Sequence, residues 1–162
     1  MSQIEELHEE EQEDPVAVLR ELLEEIVDGL GLDVEVRVEQ SEGTLTGFVV
    51  GEDVGLFIGR RGQTIDAVQH LAQRIVFHGG SRDTRVTIDA DGYRERRAEA
   101  LRSIALGAAE EALRSAQAVE LDPMGASERR IVHEYLRERG GVETHSEGEE
   151  PERYLVVEPA GA

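Results

Sequence analysis

Apolar residues in the first part of the chain follow a helical pattern and then an alternating one. Asp14 and Pro15 are typical of a helix start, and leucine, isoleucine and valine recur at helical spacing over residues 19–30. Residues 34–39 alternate between valine and charged side chains, and residues 44–50 are rich in β-branched and apolar side chains. These patterns predict a helix followed by a β-hairpin.

A short helix, a glycine loop, a second helix and a strand are predicted next. Asp53 is placed to cap the short helix, and residues 59–62, with the sequence Gly-Arg-Arg-Gly, interrupt it. Apolar residues at helical spacing over residues 65–76 predict the second helix. Alternation over residues 84–89 predicts the strand.

The second half of the chain is predicted to open with a long helix. Alanine and leucine recur at helical spacing over residues 93–118, a short strand follows at 119–121, and Ser127 is placed to cap a further helix. Residues 142–145 and 154–157 have the pattern of a final strand pair. The whole pattern indicates an α+β protein of two small units joined by a helix.

Charge is distributed unevenly along the 162 residues, whose formal net charge is −19. Residues 54–139 hold 14 of the 17 arginines but only 13 of the 36 acidic residues, which leaves that region with a net charge of +1. Residues 1–14 are glutamate-rich and are expected to form a disordered tail. The other boundaries that we predict are a first unit over 15–91, a connecting helix over 92–118 and a second unit over 119–162.

The composition narrows the possible chemistry. Because there is no cysteine, disulfides, thiolate zinc sites and cysteine nucleophiles are excluded, and the chain suits a reducing cytoplasm. No apolar run approaches the length of a membrane span. The five histidines form no sequence-local metal motif, and residues 145–147, His-Ser-Glu, are expected to form a turn. We therefore expect no metal, no cofactor and no catalysis.

The Gly-Arg-Arg-Gly sequence is suited to hold a phosphate backbone. Its glycines permit close backbone approach, and the second helix is expected to begin at the loop with free N–H groups. The two arginines add positive charge at the same place. A tight helix–helix turn with two solvated arginines is the alternative. The residues that we expect to bind nucleic acid here are Ile58, Gly59, Arg60, Arg61, Gly62, Gln63 and Ile65, with Ile58, Ile65 and Val68 forming an apolar floor for unstacked bases.

A second cationic set lies on the last predicted helix. Arg129, His133 and Arg137 are spaced four residues apart, so they line one side of that helix. On an exposed face they would hold phosphate, and the histidine ring would add a stacking surface. The alternative is a solvated helix face whose cations pair with Glu134 or Glu138.

Several stretches resemble known nucleic-acid-binding families. Residues 15–91 are similar to a KH domain of the helix-first, prokaryotic type, and residues 55–65 carry the signature of that family. Residues 129–133 match the Arg-xxx-His signature of the R-three-H domain. The flanking residues 121–124 and 144–151 are similar to that domain as it occurs in the Jag family, bacterial proteins associated with SpoIIIJ that join KH to R-three-H.

The resemblance implies a helix-first (type II) KH domain joined by a long helix to a small α/β R-three-H domain. It implies a loop that clamps about four nucleotides of single-stranded RNA, with single-stranded DNA as an open alternative. It also implies a cytoplasmic RNA-binding regulator of cell elongation or division, with a smaller KH-domain protein as a partner. A protein-interaction scaffold with little RNA affinity is the main alternative. An enzyme acting on nucleic acid is disfavoured because the sequence shows no acid–base pair.

Overall fold

A computed structural model describes residues 14–77 and 84–161 of the chain, and the predicted acidic tail falls outside these ranges except for Asp14. The chain divides into two compact units, residues 1–93 and 94–162. Each unit has its own three-stranded sheet and its own apolar core. The mixed helix and sheet content confirms the predicted α+β class.

The first unit has the predicted order of helix, strand, strand, helix, loop, helix and strand. Asp14 caps the first helix by accepting a hydrogen bond of 3.1 Å from the Val16 N–H, and Pro15 occupies the first helical position. The sheet has the order β1-β2-β3, in which β1 and β2 are antiparallel while β2 and β3 are parallel. The elements are α1 (Pro15–Gly29), β1 (Glu35–Ser41), β2 (Thr44–Val50), α2 (Gly55–Ile58), a 3-10 turn (Arg60–Gly62), α3 (Gln63–Val76) and β3 (Arg85–Ala90).

The core of the first unit lies between the sheet and the helices. Leu19 and Leu23 of α1 are fully buried together with Ile88 of β3. Gly47 of β2 permits this packing, because a Cβ atom there would lie 2.5 Å from Leu23 Cδ1. The predicted cap of α2 is wrong: Val54 occupies the N-cap position, and no side-chain hydrogen bond caps this helix in the described part of the chain.

Two glutamines of α3 hold that helix against the outer edge of β3. The Gln73 side chain donates to the Thr84 carbonyl at 3.0 Å and accepts from the Val86 N–H at 2.6 Å. Gln69, one turn earlier, accepts from the Ile88 N–H at 3.0 Å. Because these bonds satisfy backbone groups that an edge strand otherwise leaves open, they fix the position of the helix that begins at the glycine loop.

The second unit contains most of the long helix and a second sheet. This sheet has the order β4-β6-β5, and both of its strand pairs are antiparallel. Two sequence predictions are wrong here. The helix predicted to have Ser127 as its cap begins at Ala126, with Gly125 in the N-cap position, and residues 145–147 lie within a strand instead of a turn. The elements are α4 (Tyr93–Ser115), β4 (Val119–Glu120), α5 (Ala126–Arg139), β5 (Val142–Glu147) and β6 (Tyr154–Pro159).

Alanines on one face of α4 allow this helix to pack closely in the second core. Ala105 and Ala109 are fully buried, and they share the core with Val132 and Leu136 of α5 and with Leu155 of β6. The long helix is therefore one wall of the second unit as well as the segment that leads into it.

A partly buried ion pair joins α4 to α5. The Arg97 Nε atom lies 2.6 Å from Glu128 Oε1, and the Glu128 side chain is only 10% exposed. Opposite charges that are buried together offset much of their desolvation cost when they are also hydrogen-bonded. The charged residues of α5 are therefore not all available to a ligand, which bears directly on the second predicted site.

Candidate nucleic-acid interface

At two positions of the glycine loop, the backbone has a conformation that only glycine adopts easily. Gly59 has φ 72° and Gly62 has φ 78°, while Arg61 between them also lies in the left-handed region at φ 53°. A Cβ atom on Gly59 would lie 2.9 Å from the backbone nitrogen of Thr64. A Cβ atom on Gly62 would lie 2.8 Å from Tyr93 Oη. Conformation and close contact therefore both require glycine.

The loop places two arginines beside an open helix end. Gly62 is the N-cap of the 14-residue helix α3, and no side chain within the described ranges caps it. The Gln63 N–H donates to the Arg60 carbonyl, which leaves the following N–H groups and the positive end of the helix dipole facing the loop. Arg60, Arg61 and Gln63 are exposed. This arrangement favours an anion such as a phosphate.

The Arg60 side chain is the more available of the two cations. It makes no hydrogen bond or ion pair with any other residue that the structure describes. Asp66 lies in the first turn of α3, where its carboxylate reduces the positive potential of the helix end. The site is therefore moderately rather than strongly cationic.

The predicted apolar floor beside the loop is largely wrong. Ile65 is fully buried and Val68 is nearly so, because both side chains belong to the core under α3. Ile58 is half-buried and remains available at the edge of the loop. Leu56, which sequence reasoning missed, is 58% exposed. The helical spacing over 54–58 contained the signal, because two core positions at Val54 and Phe57 leave the residue between them facing outwards.

Arg129 of the second set is not on an exposed face, which corrects the sequence prediction. The residue is only 9% exposed. Its Nη1 atom donates to the Met124 carbonyl at 2.6 Å, and its Nη2 atom donates to Glu150 Oε1 at 2.7 Å. The guanidinium therefore ties the segment before α5 and the loop after β5 to the helix. Its expected contact with nucleic acid stays a prediction.

His133 and Arg137 are exposed, as the helical spacing predicted. The Nδ1 atom of His133 lies 2.5 Å from Thr144 Oγ1 on β5, which orients the imidazole ring across the helix–strand junction. The ring's Nε2 atom is not engaged by this contact. Residues 133 and 137 are thus brought to one side of α5, whereas residue 129 on the same side is buried.

Glu134, one of the two carboxylates considered as partners of the second cationic set, forms an ion pair on another side of α5. Arg130 Nε lies 2.8 Å from Glu134 Oε1, one helical turn away. The hydrogen bond from Arg130 and the charge of that guanidinium lower the pKa of the Glu134 carboxyl below its ordinary value. Glu134 is therefore paired with Arg130 rather than with the cations at positions 129, 133 and 137.

Another histidine with close partners, His145, lies on the exposed face of β5. His145 Nε2 is 2.9 Å from Glu147 Oε1, and its Nδ1 atom is 3.6 Å from Glu158 Oε1. In the described residues, no three side chains of the kinds that bind metals are grouped to hold an ion. Within residues 14–77 and 84–161, no helix has the length and apolar character needed to cross a membrane.

A helix-first unit with a Gly-Arg-Arg-Gly loop, followed by a small unit with an Arg-xxx-His helix, defines a KH domain followed by an R-three-H domain. The KhpA/KhpB-type KH domain model matches residues 16–88, and the R-three-H domain model matches residues 99–159. The second match begins inside α4, in agreement with the contribution of that helix to the second core. The chain belongs to the KhpB family, also called Jag.

Relatives of the chain carry the name RNA-binding protein KhpB. The chain is 38% identical over 139 residues to the protein of Clostridium symbiosum, a match that covers 85% of this chain and 63% of the relative. It is 33% identical over 146 residues to the protein of Bacillus subtilis, covering 89% and 70%. It is 37% identical over 145 residues to the protein of Lactiplantibacillus plantarum, covering 90% of the chain but only 45% of that relative.

Proposed function

We propose that this chain binds single-stranded RNA through the loop at residues 59–62. The observation that carries the proposal is the exposure of Arg60 and Arg61 at the uncapped end of α3, between two glycines with positive φ. Backbone N–H groups and guanidinium groups together suit a phosphodiester chain. The family membership supports RNA as the ligand, since the relatives are named RNA-binding proteins.

A single strand fits this site better than a duplex. Beside the loop, Ile58 is partly exposed and Leu56 is largely exposed, and each offers a small apolar surface. Such a surface accepts unstacked bases, whereas an A-form duplex hides its base edges in a groove that side chains do not enter. His133 and Arg137 are proposed to contact a second stretch of the strand. Two weak sites on one chain raise the affinity through effective concentration.

Titration of a fluorescein-labelled single-stranded RNA tests the loop. We expect the variant Arg60→Asp/Arg61→Asp to lose at least tenfold in affinity, because two favourable charges become two unfavourable ones next to phosphate. The matched control is Arg102→Asp/Arg114→Asp, which changes the net charge by the same amount at two exposed positions of α4. The loop variant should weaken binding far more than the control.

Equal losses in the two variants would show that the overall charge, and not the loop, determines binding. No measurable binding by the wild type would favour the alternative function of a protein-interaction scaffold. Repeating the titration with DNA of the same sequence decides between the two nucleic acids. A gel after incubation of RNA with the protein and magnesium tests the further proposal that the chain binds without catalysis.

The family resemblance supports a broader proposal. The chain would act in the cytoplasm as a post-transcriptional regulator of cell elongation or division, with a smaller KH-domain protein as its partner. Sequencing of the RNA that co-purifies with the tagged protein, with the loop variant as the control, tests the regulatory part. Mass spectrometry of the proteins recovered with it tests the partner.

A further inference from the structure

The buried guanidinium of Arg129 already holds an anion of this same chain. Its Nη2 atom donates to Glu150 Oε1 at 2.7 Å, while the Arg129 side chain is 11% exposed and the Glu150 side chain is 57% exposed. The other terminal nitrogen of Arg129 is bound to the Met124 carbonyl. The ion pair is thus asymmetric: the cation is fixed within the second unit, and the carboxylate covers it from the solvent side.

We propose that Glu150 occupies the place that a ligand phosphate takes on Arg129, and that RNA binding requires this carboxylate to be displaced. Carboxylate and phosphate oxygens accept the same kind of short, charge-assisted hydrogen bond from guanidinium. An exposed glutamate side chain is held by few other contacts, so it can rotate away. Arg129 cannot follow it, because the bond to Met124 keeps the guanidinium in place.

This competition makes Glu150 a residue that determines selectivity. An anion tethered to the chain acts at a high effective concentration, so an isolated phosphate displaces it poorly. A strand that also contacts His133 and Arg137, on the same side of α5, gains enough from those contacts to complete the exchange. Nonspecific polyanions that reach only one of these groups are rejected. The inference rests on the proposed RNA-binding function and concerns only the second unit.

A purely structural role for the pair predicts a different outcome. If Glu150 serves only to neutralise a buried cation, its removal lowers stability and leaves RNA affinity unchanged or weaker. Under displacement, the same change lowers stability or leaves it unchanged while RNA affinity rises. The direction of the change in RNA affinity therefore separates the two roles: only displacement predicts a gain.

The test compares Glu150→Gln with Glu149→Gln, using titration of one labelled single-stranded RNA. Both variants remove one negative charge from neighbouring exposed positions, but only residue 150 contacts Arg129. Glutamine retains a carbonyl oxygen that can accept from Arg129, so the fold is expected to persist, but this neutral hydrogen bond lacks the strength of the charge-assisted one and yields readily to phosphate. If the carboxylate occupies the site in about 70–90% of molecules, its loss raises the affinity about threefold to tenfold. Thermal unfolding of both variants is measured in parallel.

A gain in affinity confined to Glu150→Gln supports the inference. An equal gain in both variants overturns it, because the change in overall charge then explains the effect. An unchanged or reduced affinity of Glu150→Gln also overturns it. If Glu150→Gln unfolds, Glu150→Asp replaces it: a carboxylate too short to reach Arg129 should also raise the affinity. If these variants fail while Arg60→Asp/Arg61→Asp still weakens binding far more than its control, the proposed function stays intact. No binding by the wild type overturns both.

Discussion

Replacement of Gly62 by alanine should damage the loop through two separable effects. The residue has φ 78°, and a Cβ atom would lie 2.8 Å from Tyr93 Oη and 2.9 Å from Tyr93 Cε1. A non-glycine residue in the left-handed region costs about 1–2 kcal/mol. Insertion of a methyl group against a packed ring costs a further ~1–3 kcal/mol. We therefore expect the first unit to lose about 2–5 kcal/mol of its free energy of unfolding.

Two other glycines separate these effects. Gly31 has φ 69° but has no atom within 4 Å of an added Cβ, so Gly31→Ala should cost the first unit only the dihedral contribution. Gly55 has neither a positive φ nor a close neighbour, so Gly55→Ala should be nearly neutral. Urea unfolding, followed through the backbone NMR signals of each unit separately, gives the three free energies.

The steric contribution depends on one ring. Tyr93→Leu removes the atoms nearest to position 62, so the double variant Gly62→Ala/Tyr93→Leu should be less destabilised than the sum of the two single variants. The RNA affinity should follow the same order, because Gly62 sets the start of α3 and hence the direction of its N–H groups. A Gly62→Ala cost no greater than that of Gly31→Ala, or strict additivity with Tyr93→Leu, would refute this reasoning.

Three further predictions follow from the same observations. Ile65→Ala should lower the free energy of unfolding by about 2–5 kcal/mol, because Ile65 is fully buried. Leu56→Ala should instead leave the free energy of unfolding in urea nearly unchanged and weaken RNA binding. The reverse result would show that Ile65 belongs to the binding surface. Arg60→Gln should reduce the slope of log affinity against log salt concentration by about 0.7, the value for one phosphate contact on a single strand. An unchanged slope in titrations at several salt concentrations would show that Arg60 does not contact a phosphate. The pKa of Glu134 is lowered by Arg130, so the pair stabilises α5 at pH values above the ordinary carboxyl pKa and loses this effect as the pH falls through the lowered pKa. The free energy of unfolding, measured against pH, should therefore fall less on acidification in Arg130→Gln than in the wild type. Identical pH profiles would contradict the pairing.

The sequence alone determined the parts of this protein that depend on local chemistry. Helical and alternating spacing predicted the element order of both units, because each periodicity places apolar side chains on one face. The Gly-Arg-Arg-Gly loop was visible for the same reason, since two glycines at the junction of two helical patterns leave few conformations to choose from. The signatures of the two domains also lie within short stretches, and the comparisons confirm the family that they indicate.

Only the tertiary structure decided which of these side chains a ligand can reach. Spacing places Arg129 and Ile65 beside their exposed neighbours, but Arg129 is buried by contacts with Met124 and Glu150, residues 5 and 21 positions away. Ile65 is buried because α3 lies on the sheet, a packing that periodicity cannot distinguish from an exposed apolar stripe. Burial depends on what covers a residue, and the covering segments are distant in sequence. For that reason, the anion that occupies Arg129 became apparent only from the folded chain.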